Sequence, residues 1–259
     1  MKKIWFALLA GLVVLMLAAC GSSEEGQTAS EGEGTEGTKT LSMGTSADFP
    51  PFESVDPSGE IIGFDIDLAK AIGEELGYEI EVKDMKFDGL IGALQSDRID
   101  FVMSGMSATD ERKENVDFST EYHRSGEMFL SLQDAGIESI EDLDGKTLGV
   151  QLGTIQEQGA RKLQEEYGFE IKPIDSSSIM VQELLSKRVD AIYIDKAVGA
   201  GYQAEQDLAG FDDPTTASPG MAAAFPKGSD LVEEFNAALA TLEENGTLQE
   251  LKEKWELEE

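Results

Sequence analysis

Residues 63–82 read GFDIDLAKAIGEELGYEIEV. Phe64, Leu68, Ile72 and Leu76 recur every fourth residue, which lays one apolar stripe along a helix. Gly77 follows the last of them and can take the left-handed conformation that closes a helix. Tyr78-Glu79-Ile80-Glu81-Val82 then alternates apolar and polar, the period of a half-buried strand. A helix running straight into a strand is the repeating unit of an α/β fold.

The same alternation extends in both directions. Thr40–Thr45 reads as a strand leading into the loop Asp48-Phe49-Pro50-Pro51-Phe52. Phe87–Gln95 reads as a helix and Ile99–Met103 as a buried strand. Further on, Gly145–Val150, Phe169–Ile174 and Ala191–Ile194 are strand candidates, interleaved with helices over Thr154–Tyr167 and Ile179–Ser186. Two final helices are expected over Ser229–Glu244 and Thr247–Trp255, with Ser229 and Thr247 as N-caps. Repeated β-α-β units imply parallel sheets with helices on both faces. Two sets of them, at 40–130 and 145–195, imply two α/β lobes.

The N-terminus speaks to location. Met1-Lys2-Lys3 is basic, and Ile4–Leu17 is an apolar run too short to span a bilayer comfortably. Leu17-Ala18-Ala19-Cys20 follows and resembles the lipobox of bacterial lipoproteins, with residues 1–19 as signal peptide and Cys20 as the lipidated residue. An ordinary signal peptide with an incidental cysteine is the alternative. Cys20 is the only cysteine, so no intramolecular disulfide is possible. Residues 21–39, GSSEEGQTASEGEGTEGTK, lack aromatic and large aliphatic side chains and read as a flexible tether to a membrane surface. The formal charge of −32 repels phosphate backbones, so no nucleic acid is expected as a partner.

Candidate chemistry sits where strands end. After Ile99–Met103 comes Ser104-Gly105-Met106-Ser107, with a helix starting near Thr109 and Arg112 one turn in. Open α/β sheets bind ligands at the carboxyl ends of strands, beside helix N-termini that favour anions. Arg112 can grip a carboxylate through two parallel hydrogen bonds. On these residues alone a second reading stands equally open: a helix capped by Thr109 whose Arg112 pairs with Asp117 or another surface acid. Gly153, Thr154, Ile155 and Gln156 form a second strand-to-helix turn, and Asp195 closes the strand Ala191–Ile194. Asp195 suits an ammonium group, or it caps a helix over 196–206. Phe49 and Phe87 are candidate pocket walls, while Phe52 reads as core.

Five ordered segments carry a resemblance: GTSADFPPFE (44–53), GFDIDLAKAI (63–72), FDGLIGALQSDRIDFVMSGMSATDERKENVDFS (87–119), LDGKTLGVQLGTIQE (143–157) and VDAIYIDKAV (189–198). Together they resemble the polar amino-acid-binding proteins of ABC importers, solute-binding protein family 3, most of all the Gram-positive lipoproteins for arginine and other basic amino acids. The resemblance covers about Thr40 to Trp255. It implies a two-lobed type II periplasmic-binding fold, α/β, each lobe a mostly parallel sheet flanked by helices. Lobe one would comprise 40–130 and 224–259, lobe two 131–223, with crossings near Met128–Leu132 and Met221–Phe225. It also implies roles: Arg112 and the amides around Ser107 and Ile155 for the ligand carboxylate, and Asp195 with Ser104, Gly105 and Ser107 for the ammonium. Phe49 and Phe87 would sandwich the side chain, with Met106, Gly153, Thr154 and Gln156 completing the site. Ser46 stands where several histidine- and lysine/arginine-binding relatives carry an aspartate, so a basic ligand needs another acid, with Glu53 and Glu121 as candidates.

The expected function is capture of a polar amino acid, arginine or another basic one such as lysine first, by lobe closure and delivery to the ABC permease. The protein would be a monomer held by lipid on Cys20 at the outer face of a Gram-positive-type cell membrane. Glutamine or another polar amino acid is the alternative ligand. A cyclohexadienyl dehydratase-like enzyme on the same fold is the alternative class, but the sole histidine, His123, falls outside the motifs and is expected at the surface. No catalytic residue, cofactor or metal site is expected, since one histidine and one cysteine make no ligand cluster.

Overall fold

The computed structural model describes residues 39–215 and 218–257. The expected signal peptide, Cys20 and the tether up to residue 38 lie outside the described residues. Among the described residues no helix is long and apolar enough to cross a membrane.

Two five-stranded sheets form the frame. The first runs, edge to edge, Tyr78–Asp84, Lys39–Thr45, Phe101–Val102, Ala224–Pro226, Val116–Phe118. The second runs Glu170–Ile174, Thr147–Gln151, Ala191–Asp195, Glu127–Leu132, Leu208–Asp212. In each, the first three strands are parallel and the fourth runs antiparallel to both neighbours. Glu127–Leu132 lies in the second sheet along its whole length, so the chain leaves the first sheet ahead of Glu127. It returns at Ala224–Pro226. A small antiparallel sheet of Asp48–Phe49, Glu53–Val55 and Ile61–Ile62 joins the first strand to the first helix.

The helix of residues 63–82 spans Phe64–Leu76 and ends on Gly77 at φ 76°, as its apolar spacing requires. Its stripe packs Phe64, Leu68 and Ile72, all fully buried, into a core shared with Phe101, Phe225 and Phe235. Phe235 meets Phe101 and Phe225 edge-on at 4.9 and 4.8 Å between ring centres, locking the returning strand to the first sheet. A separate cluster fills the other face of that sheet, with Leu90, Leu94, Val102 and Met106. In the second sheet, Phe129 stacks on Tyr193 at 4.3 Å. Helices therefore cover both faces of both sheets.

Several local expectations shift. Phe87–Gln95 divides into a 3₁₀ turn over Phe87–Gly89 and a helix over Leu90–Gln95. The last two helices begin at Leu231 and Thr247, with Asp230 and Gly246 at the cap positions; Ser229, one residue earlier, still accepts from the Leu231 amide at 3.4 Å, whereas Thr247 is no cap. Gly246 at φ 87° makes the tight reversal between them, which places Thr247 already inside the helix.

Candidate functional site

Four parallel strands aim their carboxyl ends at one cavity. Thr45 leads to Ser46, Asp48 and Phe49; Val102 leads to Ser104, Gly105 and Ser107. Gln151 leads to Thr154, Ile155 and Gln156, and Asp195 is itself a strand end. These residues, with Glu53, Phe87, Arg112 and Met221, line one narrow cavity.

Arg112 sits in the short helix Asp110–Lys113, whose cap Thr109 accepts a hydrogen bond from the Arg112 amide. Its side chain is buried at 6 % exposure. Nη1 donates to the Ser107 carbonyl at 2.8 Å and Nη2 to the Gly153 carbonyl at 3.0 Å. The guanidinium carbon lies 5.3 Å from the centre of the Phe87 ring. Burial pulls its pKa down to about 10. Asp117, the partner in the surface reading, instead accepts from Lys227 at 2.8 Å and from the Gly228 amide. That pairing is overturned, because the strand Val116–Phe118 carries Asp117 towards the Lys227 turn.

Asp195 is buried at 3 % exposure, and its Oδ1 caps the helix Lys196–Gln206 through the amides of Ala197 and Val198 while accepting from Ser125 Oγ at 3.0 Å. Burial raises its pKa to about 6. Asp195 is thus a helix cap, as one reading expected, and also part of the cavity wall. Opposite it in the register stands Glu127, which accepts from Gln156 Nε2 and Ser218 Oγ. Burial, then the Asp195 charge, raises Glu127 to about 8.

The loop Ser104–Ser107 is pinned by acids. Ser104 Oγ donates to Glu53 Oε1 at 2.9 Å and accepts from the Ser46 amide at 2.9 Å. The Gly105 amide donates to Asp65 Oδ2 at 2.8 Å. Gly105 has φ 52°, and a Cβ there would sit 3.1 Å from the Phe49 ring, so glycine is what lets the ring lie on the loop.

The two lobes meet across the cavity. Besides the Arg112–Gly153 bond, Asp48 accepts from the Ser177 amide at 2.9 Å, and Gln158 Nε2 donates to Glu111 at 3.0 Å. Lys86 pairs with Asp175. Gly153, at φ 78°, has Asp88 close enough that a Cβ would fall 3.0 Å away.

Two expected site residues do not line the cavity. Met106, at 1 % exposure, packs against Leu90, Leu94 and Val116, since the loop turns its side chain under the sheet. Gly153 contributes through its carbonyl to Arg112. Glu121 does not line it either; it pairs with Arg124 beside Gly220. His123 is not at the surface but 6 % exposed, its ring 5.3 Å from that of Phe52. Asp48, Gln151 and Met221 line the cavity without having been singled out as site residues. Gln151 is the last residue of its strand, a position the strand-end rule marks. Met221 belongs to the returning segment, bridges Ser107 and His123, and has no local sequence signal.

Residues 41–258 match the model of the bacterial extracellular solute-binding proteins, family 3. The arginine-binding extracellular protein ArtP of Bacillus subtilis (strain 168) is 46 % identical over 258 residues, 98 % of each chain. The chain belongs to this family. Two solved structures share the family's type II periplasmic-binding fold with it. An ancestral arginine-binding protein bound to arginine superimposes with a TM-score of 0.79 and 43 % identity, over 83 % of this chain and 97 % of that one. An ancestral arginine-binding protein bound to glutamine gives 0.78 and 43 %, with the same coverage. The family's type II architecture accounts for the two sheets and for the cavity between them.

Proposed function

We propose that the protein is the substrate-binding component of an ABC importer and captures a cationic amino acid, arginine first. One observation carries this reading: a single small cavity is lined by a buried arginine and by buried carboxylates from both lobes. Arg112 meets no carboxylate within ion-pair distance among the described residues, so its remaining N–H groups suit a ligand α-carboxylate. Asp195 suits the α-ammonium. Phe49 and Phe87 flank the side chain, and Ser46, Ser104, Gly105, Ser107, Thr154, Ile155 and Gln156 complete the lining.

The side-chain end of a cationic ligand needs an acid other than Ser46, and Asp48 and Glu53 both line the cavity. Asp48 already spends Oδ1 on Ser46 and Oδ2 on Ser177. Glu53 keeps Oε2 without a donor and is the acid assigned to the cation. The arginine ligand of ArtP and of the first ancestral structure supports the choice. The glutamine-bound ancestral structure makes glutamine the second reading. Calorimetric titration with the common amino acids tests it: arginine should bind tightest, lysine next, with no turnover of any of them. Glutamine bound tighter than arginine would overturn the cationic choice, and conversion of a ligand would overturn the non-enzymatic one.

Lobe closure over the ligand forms part of this reading, with the lobes divided as the sequence suggests except that the first crossing precedes Glu127. The protein would act as a monomer and present the closed face to the permease. Anchoring at the outer cell surface rests on the lipobox-like Leu17-Ala18-Ala19-Cys20. Cys20→Ser should move the protein from the membrane fraction to the medium with its amino-acid affinity intact; retention on the membrane would refute the anchor.

A further inference from the structure

Glu53 and Asp65 are buried at 1 % and 0 % exposure, Glu53 on the cavity wall and Asp65 in the helix Phe64–Leu76. Each uses one oxygen to hold the site. Glu53 Oε1 accepts from Ser104 Oγ, and Asp65 Oδ2 accepts from the Gly105 amide and, at 2.8 Å, from Tyr122 Oη. Glu53 Oε2 and Asp65 Oδ1 are buried with no other donor. The two acids hold adjacent residues of one loop, Ser104 and Gly105, so they are buried beside each other. Two ionised carboxylates buried side by side, each with an oxygen lacking a donor, repel each other, and one proton held between them relieves that cost.

We propose that Glu53 and Asp65 share one proton in the ligand-free protein, and that a cationic amino acid entering the cavity expels it. The inference rests on the cationic reading above. The O–H bond between the pair breaks, the proton passes to solvent, and the electron pair stays as a second carboxylate charge. One positive charge enters the cavity as one leaves. Asp65, which never lines the cavity, is then a positioning residue twice over: it holds Gly105 and it sets the charge of Glu53.

Burial raises both carboxyls, Asp65 to about 7, and the neighbouring Asp65 and Asp48 charges raise Glu53 further. The other titratable groups facing the pair are Tyr122, through its hydrogen bond, and His123, whose ring lies 5.3 and 6.4 Å from those of Phe52 and Phe64. The Arg112 guanidinium lines the same cavity. The sign follows from linkage. Ligand stabilises the ionised pair, so arginine affinity rises with pH between the pair's pKa in the liganded protein and its value in the empty one. The rise reaches at most about tenfold per pH unit.

The test is calorimetric titration of the purified protein at about pH 7 in buffers of different ionisation enthalpy. Arginine, whose guanidinium does not titrate there, should release between about half a proton and one proton per site. Glutamine, which is neutral, should release almost none. In Asp65→Asn, Glu53 loses the neighbouring acid charge and keeps only its burial, so the arginine-linked release should fall. Arginine heats that ignore the buffer overturn the exchange while leaving the cationic reading intact. Release that persists undiminished in Asp65→Asn comes from other groups, such as Asp195 or Glu127, and also overturns the exchange. Absence of any arginine heat, with glutamine still binding, overturns the cationic reading and the exchange together. If Asp65→Asn does not fold, the rise of wild-type arginine affinity with pH decides alone, and a flat profile overturns the proposal.

Discussion

Arg112→Ala is expected to weaken amino-acid binding by about 3–5 kcal/mol, more than a hundredfold, because it leaves a buried ligand carboxylate without its partner. The loss belongs to binding. Removing the guanidinium also strips donors from the carbonyls of Ser107 and Gly153, but it relieves the burial that pulls the Arg112 pKa down to about 10. Those effects oppose each other in the empty protein, so its thermal midpoint should move little. Arg112→Lys separates charge from shape: a lysine keeps the charge but cannot reach both carbonyls and a carboxylate with a planar fork. Its affinity should fall between wild type and alanine. Titration calorimetry measures all three, and an alanine variant within twofold of wild type would remove Arg112 from the site.

Asp195→Asn should move stability and binding in opposite directions. Burial lifts the Asp195 carboxyl from 3.8 to about 6. For an acid with a raised folded pKa, stability is lost as pH climbs from the unfolded value towards the folded one. At neutral pH the ionised group therefore costs on the order of 3 kcal/mol, for want of a cation. Asparagine keeps an oxygen for Ala197, Val198 and Ser125 and sheds that cost, so the empty variant should melt higher at pH 7 and no higher near pH 4. Ligand binding should fall by about 2–5 kcal/mol, since the α-ammonium loses its counter-charge. Asp195→Ala loses the cap as well and should lack the gain in stability. An asparagine variant that is less stable at pH 7 and binds normally would leave Asp195 as a helix cap alone.

The chain declares its fold wherever a local signal is long enough to repeat. The helix Phe64–Leu76 and the strand Tyr78–Asp84 repeat their periods often enough to declare themselves. Strands such as Asp48–Phe49 and Glu53–Val55 are too short to show a period, whereas the apolar run Ile99–Met103 marks Phe101–Val102. The site followed the same division. Arg112, Asp195 and the turn at Thr154 sit at strand ends where the fold places ligands, so reading the strands located them. Met106 lies among the same loop residues, yet its direction depends on which face of the loop the neighbouring helix covers. The burial of His123 comes from Phe52 and Phe64, brought together by the small three-stranded sheet. Thr247 failed as a cap because Gly246 turns one residue earlier than a serine or threonine cap would need.

The bonds that cross between the lobes contain no ligand atoms. Lys86 with Asp175, Ser177 with Asp48, Gln158 with Glu111 and Arg112 with Gly153 all form between protein groups alone. Under the reading of a closing receptor, an amino acid can leave only after these contacts break, so its residence time is governed by the reopening rate of the protein. Substitutions at Lys86 or Gln158, which do not line the cavity, would then shorten the lifetime of the complex and leave the preference among amino acids unchanged. At Lys86 and Gln158 release is thereby separated from selectivity, and there the two can diverge independently.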